Sequence, residues 1–186
     1  MKKLLVFISM LSVVMLAAQS RQSLLSAALK NSNANDSAFF LRDSVLSHIS
    51  YDAEADSILL DDAKRQNLIT QADLVFMTAQ LKAYKPHTWT ADSIPHAQIV
   101  PSAQTPSAAA SFKKSVKAWS AYFKTHQSGY YDVSGPVFSK DGTMAIVYVS
   151  FQCGANCGNG GATLYKFDKG AWMPVKNLSA WAKQPH

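Results

Sequence analysis

Apolar positions recur along this chain at two different periods, and the change from one to the other falls near Gly129. In the first part Phe40, Leu41, Val45, Leu46 and Ile49 follow one another near helical spacing behind Ser37, a residue type that caps first turns, and this predicts a short helix. Residues 51–68 mix acids with Ile58-Leu59-Leu60 and leave helix and loop both open, a helix from about Ser57 being the nearer fit. Thr70 stands three residues before Asp73 in the manner of a capping box, and Leu74, Met77, Leu81 and Tyr84 follow at i, i+3, i+7 and i+10. That spacing predicts a helix with a buried face, ending before Pro86. Residues 85–111 hold Pro86, Pro95, Pro101 and Pro106 around one short apolar run at 97–100, a connector with room for one strand. From there Ser107 is placed to cap a helix over 108–125 whose Phe112, Val116, Trp119 and Phe123 fall within about 60° of one another at 100° per residue. Lys113, Lys117 and Lys124 lie on a neighbouring strip.

Beyond Gly129 the period is two. Residues 130–133, 136–139, 144–152, 162–167 and 172–176 read as strands, separated by Ser134-Gly135, Asp141-Gly142, a glycine-rich loop and Lys169-Gly170. Turns this short require neighbouring strands to run antiparallel. In the longest strand Ala145, Val147, Val149 and Phe151 share one face and Met144, Ile146 and Tyr148 the other, so both faces are apolar and one is expected to meet the helices. The fold class expected is α+β, with N-terminal helices packed on a C-terminal antiparallel β-meander of four to five strands. As a single domain it would span 37–186, helical over 37–127 and β-meander over 129–178.

The chain opens with Met1-Lys2-Lys3, a short apolar run from Leu4 to Leu16 and the small residues Ala17-Ala18, the pattern of a secretory signal peptide over residues 1–18. The run is shorter than the roughly 20 apolar residues of a membrane span, and no cysteine at the junction offers a lipid anchor. Cleavage falls after Ala18 or Ser20, so the protein is expected in the periplasm or outside the cell, without stable membrane insertion once the signal is cut. Residues 19–36, rich in Ser, Asn, Gln and Ala and without an aromatic residue, read as a flexible N-terminus.

Composition sharpens this picture. Of 186 residues, 48% are hydrophobic and 16% charged, which excludes a disordered tail or a coiled coil. The net charge of +6 is unevenly placed: residues 19–100 hold seven Lys/Arg and nine Asp/Glu, residues 101–186 nine Lys/Arg and three Asp. The C-terminal half is basic, but no basic run of nucleic-acid type is present, so no nucleic-acid partner is expected.

The run Ser134-Gly135-Pro136-Val137-Phe138-Ser139-Lys140-Asp141-Gly142, then Cys153-Gly154-Ala155-Asn156-Cys157-Gly158-Asn159-Gly160-Gly161, then Leu164-Tyr165-Lys166 and Gly170-Ala171-Trp172, resembles a family of small secreted proteins from Bacteroidota-type bacteria. That family has no established function, and the resemblance implies export but no catalytic residue. Residues 136–143 also resemble one blade motif of TolB-type β-propellers; a propeller needs at least four blades, and no second copy recurs. Asp36-Ser37, Asp43-Ser44, Asp56-Ser57 and Asp92-Ser93, each followed by Ala, Val or Ile, look like the O-glycosylation acceptor pattern of such bacteria. Asp-Ser pairs equally begin helices and turns, so Ser37, Ser44, Ser57 and Ser93 remain open between the two roles.

Cys153 and Cys157, in an exported chain, are expected to form a disulfide between two strands. The glycines around them, Gly154, Gly158 and Gly160 with Asn156 and Asn159, could instead expose backbone N–H groups as an anion nest. Metal ligation needs more ligands than the scattered His48, His87, His96 and His126 supply, and neither metal nor cofactor is expected. There is no Gly-x-Ser-x-Gly elbow, no His-Glu-x-x-His and no phosphate loop, and Glu54 is the sole glutamate, leaving carboxylate chemistry to Asp61, Asp62 or Asp132. Trp119 and Trp172 fall on apolar faces, while Trp89 and Trp181 stay available as stacking platforms. The expectation is a non-enzymatic module that binds an envelope component or protein through its sheet, the Cys-Gly hairpin and the strip of Lys113, Lys117 and Lys124. The alternative is a hydrolase or other enzyme with a site between helix and sheet, for which Asp132 or His126 beside a second titratable group in a deep pocket would be the sign.

Overall fold

The computed structural model describes residues 21–32, 34, 38–50, 52–106 and 111–183. The expected signal peptide with its cleavage site, and the expected capping residues Ser37 and Ser107, lie outside them. The chain is α+β: helices pack on a mostly antiparallel sheet. Its strands are β1 (Phe39–Arg42), β2 (Ala97–Val100), β3 (Tyr130–Val133), β4 (Val137–Phe138), β5 (Met144–Gly154), β6 (Cys157–Asp168), β7 (Ala171–Asn177) and β8 (Trp181–Lys183). They are ordered β2-β1-β3-β5-β6-β7, with β4 also paired to β5 and β8 to β6. The expected meander is β5-β6-β7, antiparallel throughout. Beyond it, β1 pairs in parallel with both β2 and β3.

That parallel strand replaces the helix expected over 37–49. The residues that fitted a helical spacing also alternate: Leu41 is fully buried on one face, and Phe40 and Arg42 lie on the other. Membership in a sheet with partners on both edges outweighs a five-residue helical pattern. Helix α2 (Ala53–Arg65) starts earlier than Ser57 because Asp52 caps it, its carboxylate accepting from Ala55 N at 2.9 Å. Helix α3 (Gln71–Ala83) carries the Thr70–Asp73 capping box anticipated from sequence, with Met77 fully buried.

The sheet is covered on both faces. On one, Val133, Ala145, Val147, Val149 and Tyr165 pack against α1 (residues 21–31), a helix absent from the sequence expectation. Its Leu24, Leu25, Ala28 and Leu29 sit at i, i+1, i+4 and i+5 and are 2% exposed or less. The expectation of a flexible segment over 19–36 is therefore corrected for this stretch: burying each leucine stabilises the folded chain by about 1.5–3 kcal/mol, enough to hold a polar-looking segment in place. On the other face, α2 and α3 cover Val137, Ile146, Ala162 and Leu164.

Helix α4 (Phe112–Tyr122), capped by Ser111 rather than Ser107, covers the far end of that face, where Trp119, Tyr122, Tyr130 and Val100 form a separate cluster. Its expected buried stripe is corrected as well. Only Trp119 on that stripe is buried, and Tyr122 joins it, while Phe112, Val116 and Phe123 are 61%, 41% and 42% exposed. The helix rests on its Trp119–Tyr122 edge because those rings find partners: Trp119 stacks on Tyr130 with centroids 5.6 Å apart.

Candidate functional site

The glycines after Cys157 do not form a loop. Strands β5 and β6 pair from Met144↔Lys166 to Gly154↔Cys157, leaving only Ala155 and Asn156 at the turn, and the Cys153–Cys157 disulfide closes it with Cα atoms 4.9 Å apart. Gly158, Gly160 and Gly161 are strand residues, and of the chain's glycines only Gly142 and Gly170 take positive φ. The anion nest considered for Gly154, Gly158 and Gly160 is thereby corrected: a nest needs left-handed backbone and free N–H groups, and this backbone is extended and laddered.

What the glycines allow is close approach. A Cβ on Gly160 would lie 2.5 Å from Ser150 Cβ, one on Gly161 would collide with the Ser179 carbonyl oxygen, and one on Gly158 would come within 3.3 Å of Trp181 Cη2. The chain after β7 comes down on this bare strand. Leu178 N donates to Ala162 O at 2.8 Å, Ala162 N donates to Ser179 Oγ at 3.1 Å, and β8 pairs with β6 at Gly160↔Trp181. Partners directly opposite share a face, so the indole lies over the side-chain-free strip and donates Nε1–H to the Tyr148 hydroxyl at 2.7 Å.

This pair forms part of a cleft of about 320 Å³. Ala55, Ile58 and Leu59 of α2 line it on one side, Leu178 to Trp181 on the other. Polar groups stand among them: Ser50, Asp62 and Arg65, the last two joined at 3.0 Å. Behind Ser50 lies the buried Asp56, whose Oδ1 accepts from Ser50 Oγ at 2.6 Å and whose Oδ2 is 2.9 Å from His48 Nδ1. The carboxylate stands between hydroxyl and imidazole. A nucleophilic triad needs the imidazole in the middle, so this trio orients the loop before α2 and does not activate Ser50.

On the same sheet face, Arg42, Asp132, Ser150, Gly160 and Trp181 occupy successive positions across β1, β3, β5, β6 and β8. Arg42 Nε and Asp132 Oδ1 form an ion pair at 2.6 Å, off the line of a well-directed hydrogen bond. Burial pushes the Asp132 carboxyl up to about 6 against the opposing pull of Arg42 and Ser150. The guanidinium also lies 5.7 Å from the Tyr130 ring centre. Tyr130 donates its hydroxyl to Pro106 O at 2.8 Å, and burial pushes that phenol up to about 12.

The remaining sequence candidates scatter. Asn159 is exposed on the face opposite Gly158 and Gly160, and Asn156 is half-buried at the turn. Lys113, Lys117 and Lys124 are exposed on α4 and the turn after it; Ala155 packs on the Trp119 cluster, so hairpin tip and α4 share one end of the sheet. His126 stacks on Tyr122 at 4.1 Å and stands apart from the Asp132 pair in the contacts it makes. Ser57 is exposed on α2, Ser44 is half-buried, Ser93 Oγ accepts from Thr90 N at 3.0 Å, and Ser37 lies outside the described residues. Trp89 is buried. Trp181 is the platform the sequence left open; the signal that could have found it is Gly158-x-Gly160, two bare positions on one strand face. Among the described residues no group of three His, Cys, Asp or Glu could hold a metal, and no helix is long and apolar enough to cross a membrane. In comparisons with known proteins, no family model, no curated protein and no solved structure matches the chain.

Proposed function

We propose that this chain is an exported, non-enzymatic binding module whose ligand seat is the cleft beside Tyr148 and Trp181, and that it takes the end of an envelope glycan. The observation that carries this is the indole fixed by its 2.7 Å bond to Tyr148 over a glycine strip. A ring locked in place and half-exposed offers an apolar face on which the C–H face of a sugar can stack, and fixing it beforehand lowers the ordering cost of binding. Ser50, Asp62 and Arg65 supply donors and acceptors for hydroxyl groups at the rim. Export is supported by the signal pattern of residues 1–18 and by the Cys153–Cys157 disulfide. Against the sequence expectation, the hairpin contributes by seating β8 rather than by touching the ligand. The enzyme alternative finds less support, because the hydroxyl, carboxylate and imidazole nearest the cleft stand in an order that cannot pass a proton from Ser50 to His48.

Saturation-transfer NMR with a panel of neutral and acidic oligosaccharides tests the proposal. Sugar-ring protons should receive saturation from the wild-type protein and lose it in Trp181→Ala. No transfer to any member, or undiminished transfer in the variant, overturns it. Turnover of a panel member by the purified protein would return the enzyme class.

A further inference from the structure

Helix α4 presents two parallel stripes to solvent. Phe112 and Val116, with Phe123 at the C-cap, fall within about 40° of one another around the helix axis, and Lys113 and Lys117 lie within another arc of about 40°, some 100° away, with Lys124 on the turn that follows. The three apolar side chains are 61%, 41% and 42% exposed, and the three lysines are exposed as well. The edge that rests on the sheet, Trp119 and Tyr122, adjoins the apolar stripe on the side away from the lysines, and the Phe123 ring lies 5.4 Å from Trp119 and 5.6 Å from Tyr122 between centroids. No carboxylate occurs anywhere between Asp92 and Asp132, so nothing in this stretch of chain neutralises the lysines.

We propose that α4 is a docking face for an anionic lipid surface, adsorbing the protein to the membrane without spanning it. A flat surface laid along the helix between the stripes meets phenylalanine and valine side chains on one side and ammonium groups on the other. This is the pattern by which surface-lying amphipathic helices place rings among acyl chains and lysines among phosphates. A protein groove would call for directed hydrogen-bonding groups in fixed places. Between these stripes stands only the small hydroxyl of Ser120, so depth and charge, which a fluid interface supplies, are what the face can read. The glycan cleft lies under α2, so this surface stands or falls independently of it.

Co-sedimentation with vesicles of phosphatidylcholine containing 30 mol% phosphatidylglycerol, against pure phosphatidylcholine, tests the proposal on the protein as purified from cells. The parent should bind the anionic vesicles and not the neutral ones, and should release as salt is raised. Replacing Lys113, Lys117 and Lys124 by Gln should weaken binding about a hundredfold, on roughly one kilocalorie per surface lysine. The double variant Phe112→Ser/Phe123→Ser should weaken it about tenfold or more at low salt, where attraction alone persists. Both variants keep the parent's N-terminal segment, so a difference between them and the parent belongs to α4, and circular dichroism checks that each is folded. Absence of binding, equal binding to neutral vesicles, or unchanged binding by the phenylalanine variant overturns the proposal. Capture by polyglutamate in preference to vesicles overturns it in favour of an acidic protein partner.

Discussion

Trp181 Nε1 donates to the Tyr148 hydroxyl across 2.7 Å, joining β8, the last strand of the sheet, to the middle of β5. The bond depends on β8 lying tightly on β6, and that in turn depends on Gly161, where any side chain meets the Ser179 carbonyl. Gly161→Ala is expected to lift residues 178–183 from the sheet, costing about 1–3 kcal/mol as an overpacking change. Urea unfolding reads the loss, and a red shift in the tryptophan emission reads the exposure of Trp181. An unshifted spectrum with parental stability would show that β8 does not need the bare position.

Residues 21–31 carry an equally local claim. Leu25 is 1% exposed under the sheet, so Leu25→Ala should destabilise by about 2–5 kcal/mol, whereas a change at the exposed Arg21 should leave stability within about 0.5 kcal/mol. Thermal or urea unfolding of the two variants decides the matter. Equal behaviour of both would mean that this helix is not docked on the core in solution.

The elements legible in the sequence are those whose own residues hold the signal. The Thr70–Asp73 box marks α3 because both partners lie within one turn, and the alternation of residues 144–152 marks β5 because both its faces are covered. Helix 21–31 was hidden because its leucines are diluted by serines, and burial under a sheet formed a hundred residues later is what secures it. Strand β1 was hidden for a related reason: its parallel partners lie at 97–100 and 130–131, and four residues cannot announce partners that distant. The site suffers most, since Ser50 and Ile58 reach Tyr148 only through the packing of α2 on the sheet, and Trp181 only through the register of β8 on β6. Glycines that suggested a loop were instead the condition for two strands and an indole to share one place.

The Cys153–Cys157 bond closes a ring of very few residues at a turn that the strand ladder already defines. Little loop entropy is removed from the unfolded chain by so short a ring, and Cys153→Ser/Cys157→Ser is expected to cost no more than about 2 kcal/mol. The fold and the Trp181 emission should be retained. Collapse of the near-ultraviolet dichroism in the double variant would assign the bond a far larger part in holding the sheet.

Asp132 makes the stability of the protein depend on pH with a sign opposite to that of an ordinary paired carboxylate. Burial raises its carboxyl from 3.8 to about 6, while Arg42 only partly offsets the rise. Between these values the folded chain holds a proton that the unfolded chain has released. Stability therefore falls as pH rises from 4 through 6, by up to about 3 kcal/mol at 1.36 kcal/mol per pH unit, and the loss is complete above the folded value. Asp73 and Asp141 act the other way, since hydrogen bonds from Thr70 and from Ser139 hold their carboxyls below 3.8. Their contributions are present above 3.8 and are lost at lower pH, outside this window. Urea unfolding of the parent and of Asp132→Asn at pH 4, 5, 6 and 7 isolates the effect, because every other titrating group is common to both. The difference between the two proteins should change steadily from pH 4 to 6 and then level. At pH 4 the parent's carboxyl is protonated and as neutral as the Asn amide that fits the same space, so the two proteins should be nearest in stability there, and the parent should lose ground to the variant as its carboxyl ionises. Parallel stability curves across the whole range would place the Asp132 carboxyl at its ordinary value and contradict its burial.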